Sequence, residues 1–231
     1  MIASELACWQ TQYRQTELFI CAEKKMEKQA LEAVKELYGQ LEKYMAENPA
    51  FAESLEPVAA GKAAPKVVRS MCFAAQAAGV GPMAAVAGAF AAHVGHVLLK
   101  DAQQVIVENG GDIFLKTETV KTIAVYAGKS PLSLKIGIVA DTREAPLAVC
   151  TSAGTVGHSF SFGKADAAVV VSKDACLADA CATRLGNEIR SAADIDRALE
   201  TIMRIGGVVG AVAVAQGVCG AAGGIQLETL D

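Results

Sequence analysis

The most constraining feature of this chain is an aspartate placed where a helix should carry only apolar side chains. Residues 150–187 begin as a loop rich in glycine and hydroxyl groups, Cys150-Thr-Ser-Ala-Gly-Thr-Val-Gly-His-Ser-Phe-Ser-Phe-Gly-Lys164. A β-branched strand follows, then a helix containing Ala178-Asp179-Ala-Cys-Ala-Thr183. Ser172 or Asp174 can cap that helix, and Gly186 can end it. At about 100° per residue, Arg184 and Glu188 share one side at pairing distance, while Ala175, Ala178, Cys181, Ala182 and Leu185 fill the other. Asp179 falls roughly opposite Arg184 and Glu188, with Thr183 one turn along, so its carboxylate points inward. A bare interior carboxylate is very costly and needs a partner. Either a basic side chain or the backbone amides of a neighbouring loop can serve. A hard cation also fits, because Asp179 and Thr183 at i,i+4 offer two oxygens on one face, and Mg²⁺ takes a few protein oxygens plus water and phosphate.

With 231 residues, 52% of them hydrophobic, the chain can bury a large core. We read one domain over 1–231, with the connector at 51–65 as the place for a hinge between two lobes. The net charge of −4 carries no basic footprint, which argues against a nucleic-acid partner. The seven cysteines form no C-x-x-C pair, which suggests reduced thiols in a cytosolic protein. The first thirty residues lack the continuous apolar run of a signal peptide. Met71–Leu99 contains no Lys, Arg, Asp or Glu. Gly79, Gly81 and Pro82 break it, however, so two buried helices are expected there and no membrane span.

Residues 11–21 read as a strand and Lys25–Glu47 as an amphipathic helix stopped by Asn48-Pro49. Pro65–Ala78 and Met83–Leu99 are the next helices. The second carries small residues at 84, 88, 91 and 95, a face suited to close packing on a sheet or to a flat ligand. His93 and His96 on it read as surface or core-edge residues. Gln104–Glu108 and Ile113–Lys116 form a hairpin about Asn109-Gly-Gly-Asp112. Strands are expected at 119–127 and 132–140, and another leads into Cys150. Ala192–Ile205 is helical, and residues 206–215 and 223–230 read as a closing hairpin pair. Gly163-Lys164 is followed by Ala165 and does not make a P-loop. Antiparallel groups of strands with helices between them point to an α+β fold with mixed or antiparallel sheets.

The order of these motifs resembles the ApbE-like superfamily, whose characterised members are FAD:protein FMN transferases. The residues that carry the likeness are Val80-Gly-Pro-Met-Ala-Ala-Val-Ala-Gly88, Val107-Glu-Asn-Gly-Gly-Asp112, Thr151-Ser152, Gly157-His-Ser-Phe-Ser-Phe-Gly-Lys-Ala-Asp166 and Ala178-Asp179-x-x-x-Thr183. The match is to a short cytosolic branch and is firm over roughly residues 65–231. In that family an Asp-Ala-x-x-Thr segment holds Mg²⁺, which the resemblance places on Asp179 and Thr183, with a backbone carbonyl near Ala87–Ala89 contributing. The flavin site would be lined by Gly88, Asn109, Gly110, Gly111, Asp112, Thr151, Ser152, Gly154, Thr155 and Gly157. The chemistry implied is phosphoryl transfer from FAD: Mg²⁺ neutralises the pyrophosphate, a threonine hydroxyl of an acceptor protein attacks, and AMP leaves.

The chain departs from the pattern in two places. The His-x-x-Asp-Pro segment is missing, and the Ala-Lys-Gly lysine is replaced within Ala87-Gly-Ala-Phe-Ala-Ala-His93. His158 is the nearest candidate base; a hydrogen-bonded loop histidine is the other reading of that residue. The chain is also shorter than the exported lipoproteins of the family and shows no lipid-attachment leader. Two functions therefore stand side by side. One is a Mg²⁺-dependent enzyme acting on FAD or a related pyrophosphate, by transfer to protein or by hydrolysis. The other is a non-catalytic cytosolic protein that binds a flavin or other metabolite, with a homo-oligomer expected.

Overall fold

Strand residues of alternating size set the layers of this protein. The computed structural model describes residues 6–154 and 163–231. The chain opens with strands β1 (Ala7–Tyr13) and β2 (Thr16–Ala22), then helices α1 (Glu27–Glu47), α2 (Pro49–Glu53) and α3 (Lys66–Ala78). A 3-10 turn at Pro82–Ala85 leads into α4 (Val86–Leu98). Next come β3 (Val105–Asn109), β4 (Asp112–Lys116), β5 (Lys121–Ala124), β6 (Ile136–Ala140), β7 (Leu147–Ser152) and β8 (Ala167–Ser172). Helices α5 (Ala175–Glu188) and α6 (Ile195–Met203) precede β9 (Val208–Ala215), β10 (Val218–Gly223) and β11 (Gln226–Thr229).

Among the described residues, one sheet has the order β1-β2-β3-β4-β7-β8-β9-β10 and a smaller one the order β11-β6-β5. Every neighbouring pair is antiparallel, and the fold is α+β. Because side chains alternate across a strand, the large sheet presents different residues to its two sides. Val169, Val171, Val212 and Val214 meet Ile138 and Val125 in a core between the sheets. Ala168, Ala211, Ala213 and Ala215 face the helix layer, where small side chains let helices lie close. Helix α5 is the centre of that layer, packed on β7, β8, α3 and α4.

Local chemistry explains the ends of α5. Asp174 is the cap: its Oδ1 accepts from the Cys176 amide at 2.9 Å and the Leu177 amide at 3.2 Å. Gly186 does not end the helix, which runs on to Glu188. Its carbonyl instead lies where a β-carbon on Gly163 would collide with it, so Gly163 packs against the last turn. Arg184 donates from Nε to Glu188 at 2.5 Å and from Nη1 to the Ala78 carbonyl at 3.2 Å, tying α5 to the end of α3.

Several segments differ from their sequence reading. Residues 11–21 are the adjoining halves of a hairpin, turned at Arg14 with a φ of 54°. The pair Arg14-Gln15 contains neither glycine nor asparagine, so no turn signal marks it. That hairpin sets Cys8 opposite Cys21, and the two form a disulfide with Cα atoms 4.1 Å apart; these are not the separate reduced thiols expected. Residues 210–215 pair with β10 through a turn at Gln216-Gly217, both at positive φ, while β11 leaves to join β6. The glycines at 223–224 masked that exchange of sheets. The expected strands at 119–127 and 132–140 shorten to β5 and β6, because Leu134 takes a φ of 61° in the loop between them.

Among the described residues no single helix is long and apolar enough to cross a membrane. The apolar segments Lys66–Ala78 and Pro82–Leu98 bend by 106° at their break. Leu185 lies at the base of α5 with no solvent exposure. Leu185→Ala is expected to lower the unfolding free energy by about 2–5 kcal/mol, the usual loss for a large-to-small change in a packed core. Urea denaturation followed by circular dichroism measures it.

Candidate functional site

The site forms where α4 meets α5 with no side chain between them. A β-carbon on Gly88 would run into the Ala175 carbonyl oxygen and come within 3.0 Å of the Asp179 β-carbon. Glycine removes that obstacle, and the Gly88 amide donates to Asp179 Oδ2 at 2.8 Å. The Ala87 amide also favours the ionised carboxylate. Gly88 and Ala87 belong to the first turn of α4, whose amides have no partner within the helix. Asp179 therefore acts as acceptor for the start of one helix while sitting in the middle of another. Its environment realises the backbone-amide partner read from sequence, and no described basic side chain pairs with it.

The hairpin turn at 109–112 closes the second side. Asn109 Nδ2 donates to the Ala87 carbonyl at 3.1 Å, fixing the segment that holds Asp179. Gly111, at a φ of 103°, lies against Thr151, and its amide donates to Glu108 at 3.1 Å. Asp112 is buried and accepts from the Thr151 amide at 3.2 Å. Beneath it, Cys150 donates its thiol towards the Ala175 carbonyl at 3.7 Å.

These elements enclose a cavity of about 500 Å³. Gly110, Asp112, Thr151, Ser152, Asp179 and Thr183 line its polar side, and Leu55, Val80 and Met83 contribute apolar surface. Thus Asp179 and Thr183, Gly110 and Asp112 of the turn, and Thr151-Ser152 share one space, while Gly111 is not among the lining residues. Gly88 and Asn109 stand behind it and orient its members. Gly154 is not among the lining residues; it packs against the Gly163 carbonyl, with its amide donating to Ala165 at 3.0 Å. Thr155, Gly157 and His158 lie outside the described residues.

Sequence reasoning missed the strap at Ala52, Ser54 and Leu55, and it missed Asn187. Asn187 had a signal, since 179, 183 and 187 form one i,i+4 row on α5. The strap had none, because its approach depends on a distant contact: the Ser54 carbonyl lies against Gly81, which leaves no room there for a β-carbon.

Electrostatics single out two residues. Burial, and then the charge of Asp112, push the Asp179 carboxyl well above the ordinary carboxylate range, against the pull of the Gly88 and Ala87 amides. Asp112 rises from 3.8 to about 7; burial is the chief cause, the neighbouring Cys150 thiol and the Thr151 amide oppose it, and Glu108 adds to it. Burial and the same two carboxylates raise the Cys150 thiol, which stays protonated. The described lining contains no lysine, arginine or histidine. Two buried carboxylates facing one cavity without a cationic side chain can hold a proton or receive a cation.

Comparison with known proteins places this geometry. Residues 2–220 match the family model described as AbpE bacteria. A UPF0280 protein of Methanocella arvoryzae is 41% identical over 204 residues, covering 88% of this chain and 83% of the relative. A UPF0280 protein of Methanosarcina acetivorans is 41% identical over 187 residues, covering 80% and 74%. Among solved structures, the apo form of the flavinyl transferase ApbE from Pseudomonas stutzeri aligns with a TM-score of 0.62 at 11% identity, over 96% of both chains. The H257G mutant of the flavin transferase ApbE from Vibrio cholerae aligns with a TM-score of 0.52 at 12% identity, covering 94% of this chain and 97% of that one. At such identities the likeness is one of fold.

Two substitutions test the geometry. Gly88→Ala places a methyl group against a backbone carbonyl that cannot swing aside. Its cost is expected at the upper end of the about 1–3 kcal/mol typical of overpacking, measured by urea denaturation. For Asp112, a folded pKa of about 7 against an ordinary value of 3.8 means that the native state keeps a proton the unfolded chain has lost. Stability therefore falls as pH rises through that window. Asp112→Asn retains an oxygen for the Thr151 amide. It should melt above the unsubstituted protein at about pH 8 and close to it at about pH 4, as read by differential scanning calorimetry.

Proposed function

This chain belongs to the AbpE bacteria family, and with it to the ApbE-like superfamily; from that premise we propose that it is a Mg²⁺-dependent enzyme acting on a flavin nucleotide. Its substrate in this reading is FAD, cleaved at the pyrophosphate with the FMN group passing to a protein threonine or to water. The observation that carries the proposal is the pair of buried carboxylates, Asp112 and Asp179, opening on one cavity whose described lining has no basic side chain. A pyrophosphate cannot enter such a space without a countercharge.

Asp179 and Thr183 would hold the ion, as oxygen donors suited to a hard cation. Among the described residues no group of three or more His, Cys, Asp or Glu side chains could hold a metal. The protein would thus supply only part of the coordination and leave the rest to water and substrate oxygens, the usual habit of Mg²⁺. Bound there, Mg²⁺ would offset the charge of the pyrophosphate.

The chain's own groups do the positioning. The Gly88 and Ala87 amides fix the Asp179 carboxylate, and the Asn109 amide fixes Ala87. The apolar side chains of Leu55, Val80 and Met83 offer contact to a flavin or adenine ring. Asp112, with a pKa of about 7, can accept a proton near neutral pH from an attacking hydroxyl. His158 remains the base suggested by the sequence, outside the described residues.

Incubation with FAD and Mg²⁺ is expected to release AMP, with FMN either free or bound to an acceptor protein, and Asp179→Ala should abolish that release. Independently of turnover, Mg²⁺ should raise the melting temperature of the unsubstituted protein and leave that of Asp179→Ala unchanged. Equal responses in both proteins remove Asp179 as the ion's ligand. Flavin binding without any release of AMP or FMN supports the non-catalytic binding protein instead.

A further inference from the structure

A second cavity, of about 600 Å³, lies between the first turn of α3, the middle of α4 and the first turn of α5. Its charge is opposite to that of the first. Lys66, His93, His96 and Lys173 line it, in a chain whose net charge is −4. Its one described acidic lining residue, Asp174, is already engaged by the Cys176 and Leu177 amides. Neither Lys66 nor Lys173 takes part in an ion pair among the described residues.

Further groups at this cavity lack partners. His93 is half-buried; its ring meets the Ala33 backbone, and its buried Nε2 has no hydrogen-bond partner. Helix α3 starts after Pro65 with no side chain capping its first amides, and Lys66 and Val67 of that turn line the cavity. Uncapped helix starts favour anions. The remaining wall is apolar, formed in part by Val67 and Phe114, and the Phe114 ring holds the His96 ring edge-on at 4.8 Å between centroids.

We propose that this cavity binds a small-molecule phosphate monoester. Lys66, Lys173 and His96 would receive the phosphate, the half-buried His93 would stand behind them, and the organic group would lie along Val67 and Phe114. Three cationic or protonatable groups around one space match a dianion better than a single carboxylate, and charge-assisted contacts of this kind are the strong ones. Both imidazoles are shifted towards easier loss of a proton. Burial lowers His93, with His96 and Lys100 acting the same way and Glu36 and Ala33 against; burial and then Lys66 lower His96. A bound dianion reverses that balance and raises both. The site is independent of the flavin reading and stands or falls without it.

The test uses the full chain with inorganic phosphate, phenyl phosphate and benzoate as probes, followed by calorimetry and by NMR titration of the histidine ring protons. Phosphate should bind and shift the His93 and His96 signals, assigned by His93→Gln, whose pKa values should rise on saturation. Phenyl phosphate should bind more tightly than phosphate, and benzoate at least about tenfold more weakly than phenyl phosphate, as expected when charge-assisted contacts are lost. Exposed Lys66 and Lys173 can be removed without touching the core, and the Lys66→Ala/Lys173→Ala double variant should lose at least about tenfold in phosphate affinity. Equal affinity in the double variant, benzoate matching phenyl phosphate, or phosphate binding that leaves both histidine signals unmoved each overturns the proposal.

Discussion

The site depends on one close approach: the amide of Gly88 reaching a carboxylate in the middle of another helix. Two helices with side chains at their contact usually keep their axes about 8–10 Å apart. Here Gly88 leaves no room for even a β-carbon beside Ala175, so the start of α4 can deliver its free amides to Asp179. That contact meets a need on each side. The first turn of α4 has donors without acceptors, and α5 carries an acceptor that is largely buried. The alanines around them, on α5 and on the inner face of β8 and β9, are the packing condition for that meeting.

Backbone amides alone leave the electrostatics incomplete. They stabilise the ionised form of Asp179, yet burial and Asp112 outweigh them and hold its pKa high. The protein thus keeps two carboxyl groups in a state that a proton or a cation can relieve, and it sets Thr183 and Ser152 beside them. A site built only for structure could use an arginine or an amide at lower cost. Retaining two acids in one cavity, with no described basic lining residue, is what the proposed Mg²⁺ binding would draw on.

The inward aspartate was legible from helical periodicity alone, since 179 and 183 share a face that excludes Arg184 and Glu188. The hairpin at Asn109-Gly-Gly-Asp112 was legible for the same kind of reason, because a strong turn signal is local. What the sequence concealed was non-local. That Asn109 would hold the Ala87 carbonyl, or that Ser54 would cross Gly81, depends on elements meeting from distant parts of the chain. The hairpin at Arg14-Gln15 was hidden because tertiary contacts, including the Arg14–Glu42 pair and the Tyr38 ring, support a turn with no turn residue. The move of β11 to the second sheet was hidden because Gly223-Gly224 looks like a tight turn. In fact Gly223 packs on the Val209 carbonyl, where a side chain would not fit.

The first turn of α5 divides the molecule's charge. On one side Ala175 abuts Gly88, leading to the cavity of Asp112 and Asp179; on the other Lys173 and Cys176 border the cavity of Lys66, His93 and His96. A single helix start can serve both because Asp174 satisfies its amides from within, leaving neither cavity to supply the cap. Under the two proposals above, the acidic cavity would need to import positive charge before accepting a pyrophosphate, whereas the basic one would take an anion directly. Two ligands of like charge would then occupy one helix layer without competing for the same groups, since the two cavities share neither their charged nor their histidine lining residues.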